Sequence, residues 1–292
     1  MNTPHSVIQK AKLAVITGGA SGIGLAIAAK LSRRGMNLVL FDKNKAALAA
    51  ATEKLKSESS ESVIQVLQGD VTAYESRFEL LKLVRASGPI SLLVNNAAIL
   101  HRAGPWGNDQ AWHNVMDVNF WSVLEMQRLF VSVMLEQAEK SAIVNVGSKE
   151  GITTPPGNAA YAVSKAAVRV LTEQLAHELR ECVGEKISAH LLIPGFTFTP
   201  MNFPGMTPDT PKPQGAWEAD QVADRMIEGM ESGDFYIFCP DNEVTWELDQ
   251  RRLQWSIDDM IKNRPALSRW HNAYAEQFRK YISRIGLDGV GS

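Results

Sequence analysis

Only two cysteines occur in 292 residues, Cys182 and Cys239. They stand far apart, so neither a disulfide framework nor a thiolate metal pair is expected, and a reducing, cytoplasmic setting fits. The six histidines lack HExxH or comparable ligand spacing, so no metal site is expected. Nowhere do about 18 apolar residues run together, which excludes an expected membrane helix. The opening MNTPHSVIQKAK carries no apolar run of the kind a signal peptide needs. Charge of one sign is also scarce: 30 Lys and Arg face 32 Asp and Glu, for a net charge of −2. Nothing there would draw nucleic acid or an anionic membrane surface, and no block of like charge reads as a tail. Low-complexity tracts and repeats beyond a strand–helix alternation are missing too.

What is present is a 45% hydrophobic chain able to bury a large core. Short apolar runs at 12–16, 36–42, 63–69, 90–94, 141–147, 186–193 and 234–239 read as strands. Stretches of helical periodicity at about 25–35, 44–57, 72–87, 109–138, 158–182 and 217–231 separate them. Strands alternating with helices imply βαβ units. The expected fold is therefore α/β, a Rossmann-like doubly wound parallel sheet with helices on both faces. Residues 1–240 would form this unit and 241–292 a helical C-terminal extension, packed on the same domain or on a partner subunit. The proline-rich segment 194–217 reads as an ordered loop or lid, studded by Phe196, Phe198, Met201, Phe203, Met206 and Trp217. Those side chains would either meet an apolar ligand or pack the lid on the core.

Three local patterns carry chemistry. TGGASGIG at 17–24 lies between the first strand and the first helix, the context a phosphate cradle needs: glycines admit the pyrophosphate and the helix start supplies N–H donors. Asp42 ends the second strand 18 residues beyond Gly24, where a carboxylate can accept from an adenosine ribose. In SKEGITTPPGNAAYAVSK, at 148–165, Tyr161 and Lys165 stand four apart and share a helix face, behind the turn PPGN with Asn158 at the N-cap position. Asn119 interrupts an apolar stripe formed by Trp112, Val115, Met116, Val123, Met126, Phe130 and Val133. A buried amide must be bonded, so Asn119 marks either a kink or cap, or a polar contact near the site.

Together TGGASGIG, GDV at 69–71, NNAA at 95–98, Asn119, Ser148, YAVSK at 161–165 and PGFTFT at 194–199 resemble the short-chain dehydrogenase/reductase family over about 12–240. One departure is Ala98, where the family has glycine; it is tolerable provided the backbone there is not at positive φ. The resemblance implies a catalytic set of Asn119, Ser148, Tyr161 and Lys165. Tyr161 would be the general acid/base, Lys165 would lower its pKa and bond the nicotinamide ribose, Ser148 would bond the substrate oxygen, and Asn119 would hold a water leading to Lys165. A positive charge at ~4 Å and an effective dielectric of ~20 is worth about 4 kcal/mol, or roughly 3 pKa units on the phenol. Cofactor contacts are implied for Gly18, Ser21, Gly22, Ile23, Gly24, Asp42, Asp70, Val71, Asn96, Ala97, Tyr161, Lys165, Pro194, Gly195, Thr197 and Thr199.

Asp42 and the absence of a basic residue at Ser21 point to NAD(H); Lys43 is the contrary feature, since it could reach a 2′-phosphate. The expected activity is interconversion of a secondary alcohol, aryl or alicyclic, and its ketone. His101, Trp106, Lys149 and Glu150 flank the expected pocket. The alternatives are an NADP(H)-dependent reductase of an oxoacyl or other carbonyl substrate, and a non-catalytic dinucleotide-binding sensor or scaffold. A homodimer or homotetramer is implied by the family.

Overall fold

The computed structural model describes residues 7–59, 61–207 and 209–283. Residues 1–6 and 284–292, the outer ends of the two expected units and the start of the segment read for a leader, lie outside the described residues. Seven strands form one sheet: β1 (Leu13–Thr17), β2 (Asn37–Asp42), β3 (Ile64–Gln68), β4 (Ile90–Asn95), β5 (Ser141–Val146), β6 (Ile187–Ile193) and, after the two-residue strands β7 (Thr197–Phe198) and β8 (Trp217–Glu218), β9 (Tyr236–Phe238). The order is β3-β2-β1-β4-β5-β6-β9 and every pairing is parallel. β1, β4 and β5 are buried at every position, which is why they read as unbroken apolar runs; β3, at an edge, is partly exposed.

The helices are α1 (Gly22–Arg33), α2 (Lys45–Glu58), α3 (Tyr74–Ser87), α4 (Asp109–Met116), α5 (Ser122–Glu136), α6 (Glu150–Thr153), α7 (Ala159–Val183), α8 (Ala219–Ser232), α9 (Trp246–Ile261) and α10 (Ala275–Ile282). They cover both faces of the sheet. One core joins Ile27 and Leu31 of α1, Leu55 of α2 and Met226 and Met230 of α8; the other joins Leu80 of α3, Phe130 of α5 and Leu179 of α7.

Four details differ from the expectation. The helix expected over 109–138 is split by a π-helical turn, Asp117–Trp121, which rolls Asn119 fully into the interior. Asn158 occupies the N-cap position of α7, but its side chain makes no capping bond. Within the lid, β7 and β8 pair, and the Trp217 N–H donates to Phe196 O at 2.9 Å. After Pro265 the tail first makes two short 3₁₀ turns, Ser268–Trp270 and Asn272–Tyr274, before α10. Ala98 is not among the positive-φ residues, so its Cβ is accommodated.

One junction positions the site. The Thr17 hydroxyl accepts from the N–H groups of Asn96 and Ala97, both at 3.0 Å. In return Asn96 Nδ2 donates to Thr17 O and Gly18 O at 3.0 and 3.1 Å. Gly24 closes the knot from α1: a Cβ there would collide with Gly18 O and lie 2.6 Å from Asn96 Nδ2. Both obstacles are backbone or fixed by backbone, so they cannot step aside cheaply. Gly24→Ala is expected to destabilise the protein by about 1–3 kcal/mol, as overpacking does. Thermal denaturation checks this; an unchanged midpoint would refute the close-approach argument.

Candidate active site

The strand order reverses between β1 and β4, and a cleft of about 320 Å³ opens there at the carboxyl ends of the strands. Gly18, Ser21, Gly22 and Ile23 form its floor, with Gly18 and Gly22 at φ +62° and +52°. Only glycine adopts such values without strain. α1 begins at this floor with no acidic residue in its first turn, so its N-terminal dipole is free to meet an anion. Asp42 forms one end of the cleft, its carboxylate accepting from the N–H groups of Ala20 at 3.2 Å and Asn44 at 3.0 Å. Asp70, Val71, Asn96 and Ala97 line one wall, and Pro194, Gly195, Thr197 and Thr199 the other. Gly24 alone of the expected contacts is not on the wall; its place is the packing knot beneath it. Asn96 is on the wall, but its amide donors are spent on the Thr17 and Gly18 carbonyls.

Ser148, Tyr161 and Lys165 meet at the far end of this cleft. β5 delivers the loop bearing Ser148, and the first two turns of α7 present Tyr161 and Lys165 on one face. Lys165 is 3% exposed and donates from Nζ to Val146 O at 2.8 Å. Burial pulls its pKa down to about 8. Burial likewise pushes the Tyr161 phenol up to about 12, with the Glu150 charge adding to the rise and a hydrogen bond with Ser148 opposing it. Lys165 is not among the charges that move the Tyr161 phenol here, and the lowering implied by the family rests on Lys165 together with the charge of oxidised nicotinamide. The ammonium is aimed at a carbonyl, 5.7 Å from the Tyr161 ring centroid, and desolvation acts on both groups in the direction of their neutral forms. Asn119 is satisfied by the loop after β4: Oδ1 accepts from Ile99 N–H at 2.8 Å, and Nδ2 donates to Ile99 O at 3.0 Å and Ser164 Oγ at 3.2 Å. It is both the kink and the polar contact that the apolar stripe left open, and it does not touch Lys165 directly.

A second cavity, of about 340 Å³, shares Ser148, Tyr161, Pro194, Gly195 and Asn202 with the first. Its other walls come from Leu100, Thr153, Pro155 and Phe196, and from the C-terminal extension through Asp241, Asp249, Arg252, Arg269 and Trp270. Lys149, next to Ser148 in the chain, joins the extension to the site: its Nζ pairs with Asp249 at 2.5 Å and Asp241 at 3.5 Å. The closer contact is an ion pair rather than a well-directed hydrogen bond. Of the flanking residues singled out in the sequence, Lys149 and Glu150 lie on this wall, whereas His101 and Trp106 lie on neither. Among the lid aromatics only Phe196 faces the second cavity; Phe198 packs on Phe203 at 5.0 Å between centroids. The extension residues carry no periodic or motif signal, since their partners lie about 100 positions upstream. Among the described residues no cluster of His, Cys, Asp or Glu is placed to hold a metal, and no helix is long and apolar enough to cross a membrane.

Lys165 has a measurable consequence for stability. Its pKa falls from 10.5 to about 8 on folding. Between those values the folded protein binds fewer protons than the unfolded chain, so stability rises with pH across the window and the ammonium costs most below it. Lys165→Met is expected to melt higher than the parent near pH 7, by on the order of 1–3 kcal/mol after the lost bond to Val146 O is deducted. The gap should narrow near pH 9.5. Calorimetric melts at both pH values test this, and a variant less stable at neutral pH would contradict it.

Comparison with known proteins agrees with this geometry. A family model described as short chain dehydrogenase matches residues 12–206. The 1-deoxy-11-beta-hydroxypentalenate dehydrogenase of Streptomyces avermitilis is 30% identical over 246 residues, covering 83% of this chain and 89% of its own. The crystal structure of a short chain dehydrogenase/reductase from Burkholderia phymatum in complex with NAD is 29% identical and superposes with a TM-score of 0.77, over 87% of this chain and 96% of that one. A short-chain dehydrogenase from Sphingobium yanoikuyae in complex with NADPH shares the fold, at 24% identity and a TM-score of 0.67 over 96% of each chain. The family match runs across the glycine turn, strands β1 to β6 and the Ser148–Tyr161–Lys165 cluster, and this chain belongs to the short-chain dehydrogenase/reductase family of oxidoreductases.

Proposed function

We propose that the chain is an NAD(H)-dependent dehydrogenase that interconverts a secondary alcohol, with an aryl or alicyclic body, and its ketone. The observation that carries this reading is the meeting of two cavities at Ser148 and Tyr161, one shaped for a dinucleotide and one for a small molecule. The bound nicotinamide supplies the hydride acceptor or donor. Gly18, Ser21, Gly22 and Ile23 would cradle its pyrophosphate, Asp42 its adenosine ribose, Asp70 and Val71 its adenine, and Asn96 and Ala97 would border the ribose side. Pro194, Gly195, Thr197 and Thr199 would hold the carboxamide end, with Gly24 keeping the turn tight beneath.

Tyr161 exchanges a proton with the substrate oxygen, which Ser148 orients. A phenol raised to about 12 is protonated near neutral pH, the form that gives a proton to a ketone. Taking one from an alcohol needs the phenolate, which the Lys165 ammonium favours. Asn119 positions the loop after β4 beside Lys165 and would order water there.

Asp42 favours NAD, because its carboxylate would repel a 2′-phosphate; Lys43 on the same wall is the feature that would favour NADP. In this reading residues 1–240 are the catalytic unit, with a lid at about 194–217, and 241–292 the helical extension, which reaches the substrate cavity through Asp241, Asp249, Arg252, Arg269 and Trp270. Apolar side chains exposed at Trp121, Val163 and Val170 suit a homodimer or homotetramer formed through the surfaces around α5 and α7. Both cysteines are free thiols, which suits the cytoplasm.

Two measurements test the reading. Tyr161→Phe should lower kcat by roughly 10²–10⁴-fold while NADH still binds, as read by its fluorescence; retained turnover would reject the assigned acid. Steady-state kinetics with both cofactors should favour NAD(H), and Asp42→Ala should narrow that preference roughly ten-fold or more. A parent enzyme preferring NADP(H) would overturn the cofactor assignment.

A further inference from the structure

The second cavity is unusually rich in charge for a site proposed to take an aryl or alicyclic body. Its walls hold three cations and three carboxylates, and most of these are matched. Lys149 is held between Asp241 and Asp249. Glu150 faces the positive charge of Arg102, and burial raises its carboxyl above the usual range. Two guanidinium groups remain. Among the described residues Arg252 pairs only with Asp249, at 4.0 Å, and its Nε is buried with no hydrogen-bond partner. Arg269 lies over the Trp270 ring at 4.6 Å and the Phe278 ring at 5.3 Å, and among the described residues it makes no hydrogen bond or ion pair. Burial, with the Arg252 charge adding to it and the Asp249 charge opposing it, brings Arg269 down to about 10.

Two guanidinium groups in one half-buried wall repel each other, and Asp249, already paired with Lys149, offsets this only in part, so a further anion is favoured there. Arg269 lines the cavity beside the Trp270 and Phe278 rings, and a guanidinium so placed can bind a planar oxyanion by paired hydrogen bonds. The charge count selects the anion. With Glu150 matched to Arg102, Lys149, Arg252 and Arg269 face Asp241 and Asp249, a surplus of one positive charge, which suits a carboxylate better than a dianionic phosphate. The neighbouring apolar wall, Leu100, Pro155, Phe196 and Trp270, lies in the same cavity as Ser148 and Tyr161.

We propose that Arg269, with Arg252 beside it, binds a carboxylate on the substrate, so that the reacting molecule is a hydroxy acid or oxo acid whose apolar body separates the two polar ends. This rests on the alcohol–ketone reading of Ser148 and Tyr161. It makes the C-terminal extension the part of the chain that selects the substrate.

The test compares para-acetylbenzoate, meta-acetylbenzoate and an oxocyclohexanecarboxylate with their methyl esters, as substrates with NADH and as ligands of the NAD⁺-saturated enzyme by calorimetry. The expected result is a preference for acid over ester of roughly ten- to a hundred-fold, the range set by a charge-assisted pair. Arg269→Gln should bring that ratio towards one, chiefly through KM. Arg269→Lys should restore part of it, and Arg252→Gln should lower it less. Should Arg269→Gln fail to fold, as judged by its melt, Arg252→Gln and the parent ratio decide the matter. Equal use and binding of acids and esters by the parent would overturn the proposal while leaving the dehydrogenase reading intact. Arg269-dependent binding of the acids without turnover of any compound would support it and reject the alcohol–ketone reading instead.

Discussion

The site depends on a knot of backbone and two short polar side chains between β1 and β4. Thr17 and Asn96 satisfy one another across the point where the strand order turns back, and Gly24 brings α1 against them with no room for a side chain. This fixes the direction in which α1 points its free N–H groups and sets the height of the loop that runs on to Ile99. Asn119 then fastens that loop to the π turn, and Ser164, one residue before Lys165, completes the connection to α7. The face of α7 that bears Tyr161 and Lys165 is thus positioned from the glycine turn by short hydrogen bonds rather than by packing alone.

Burial governs the chemistry as much as position does. A second polar chain crosses the sheet interior: Asn95 donates to Asn145, which donates to Gln127 and Thr172. These donors are all paired, with Asn95 Oδ1 the one buried atom of this polar chain left without a partner among the described residues, and the network ties β4, β5, α5 and α7 together. Lys165 and Tyr161 occupy the same low-dielectric setting, and each is displaced towards its neutral form. The phenol is thereby kept as an acid until positive charge is concentrated beside it.

The strands and most helices were legible because the sheet is covered on both faces. Buried strands such as LAVIT and SAIVNV leave continuous apolar runs, and the helices between them carry one apolar stripe each. The glycine turn and Asp42 were legible from their place at strand ends, Ser148, Tyr161 and Lys165 through the family resemblance of the motifs together, and the structure brings them to one cleft. The π turn was visible only as an amide out of place in an apolar stripe. Residue spacing does not report that one extra residue has been fitted into a helical turn. The short helix α6 had no signal of its own, since a single turn is set by the loop it closes. Arg252 and Arg269 were invisible as site residues for a different reason. Nothing in the spacing of a charged, amphipathic tail says which wall it will face, and Lys149, which anchors that tail, looks like any surface lysine until Asp249 is found beside it.

The ion pair between Lys149 and Asp249 also divides the site in time. Every residue lining the dinucleotide cleft precedes position 203, whereas the outer wall of the second cavity reaches Trp270. A ribosome adds about 5–20 residues per second, so the parts of the dinucleotide cleft are synthesised several seconds before the last of the outer wall. During that interval Lys149 is without its carboxylates. A chain cut after position 203 would retain every residue lining the first cleft while losing Asp241, Asp249, Arg252, Arg269 and Trp270 from the wall of the second.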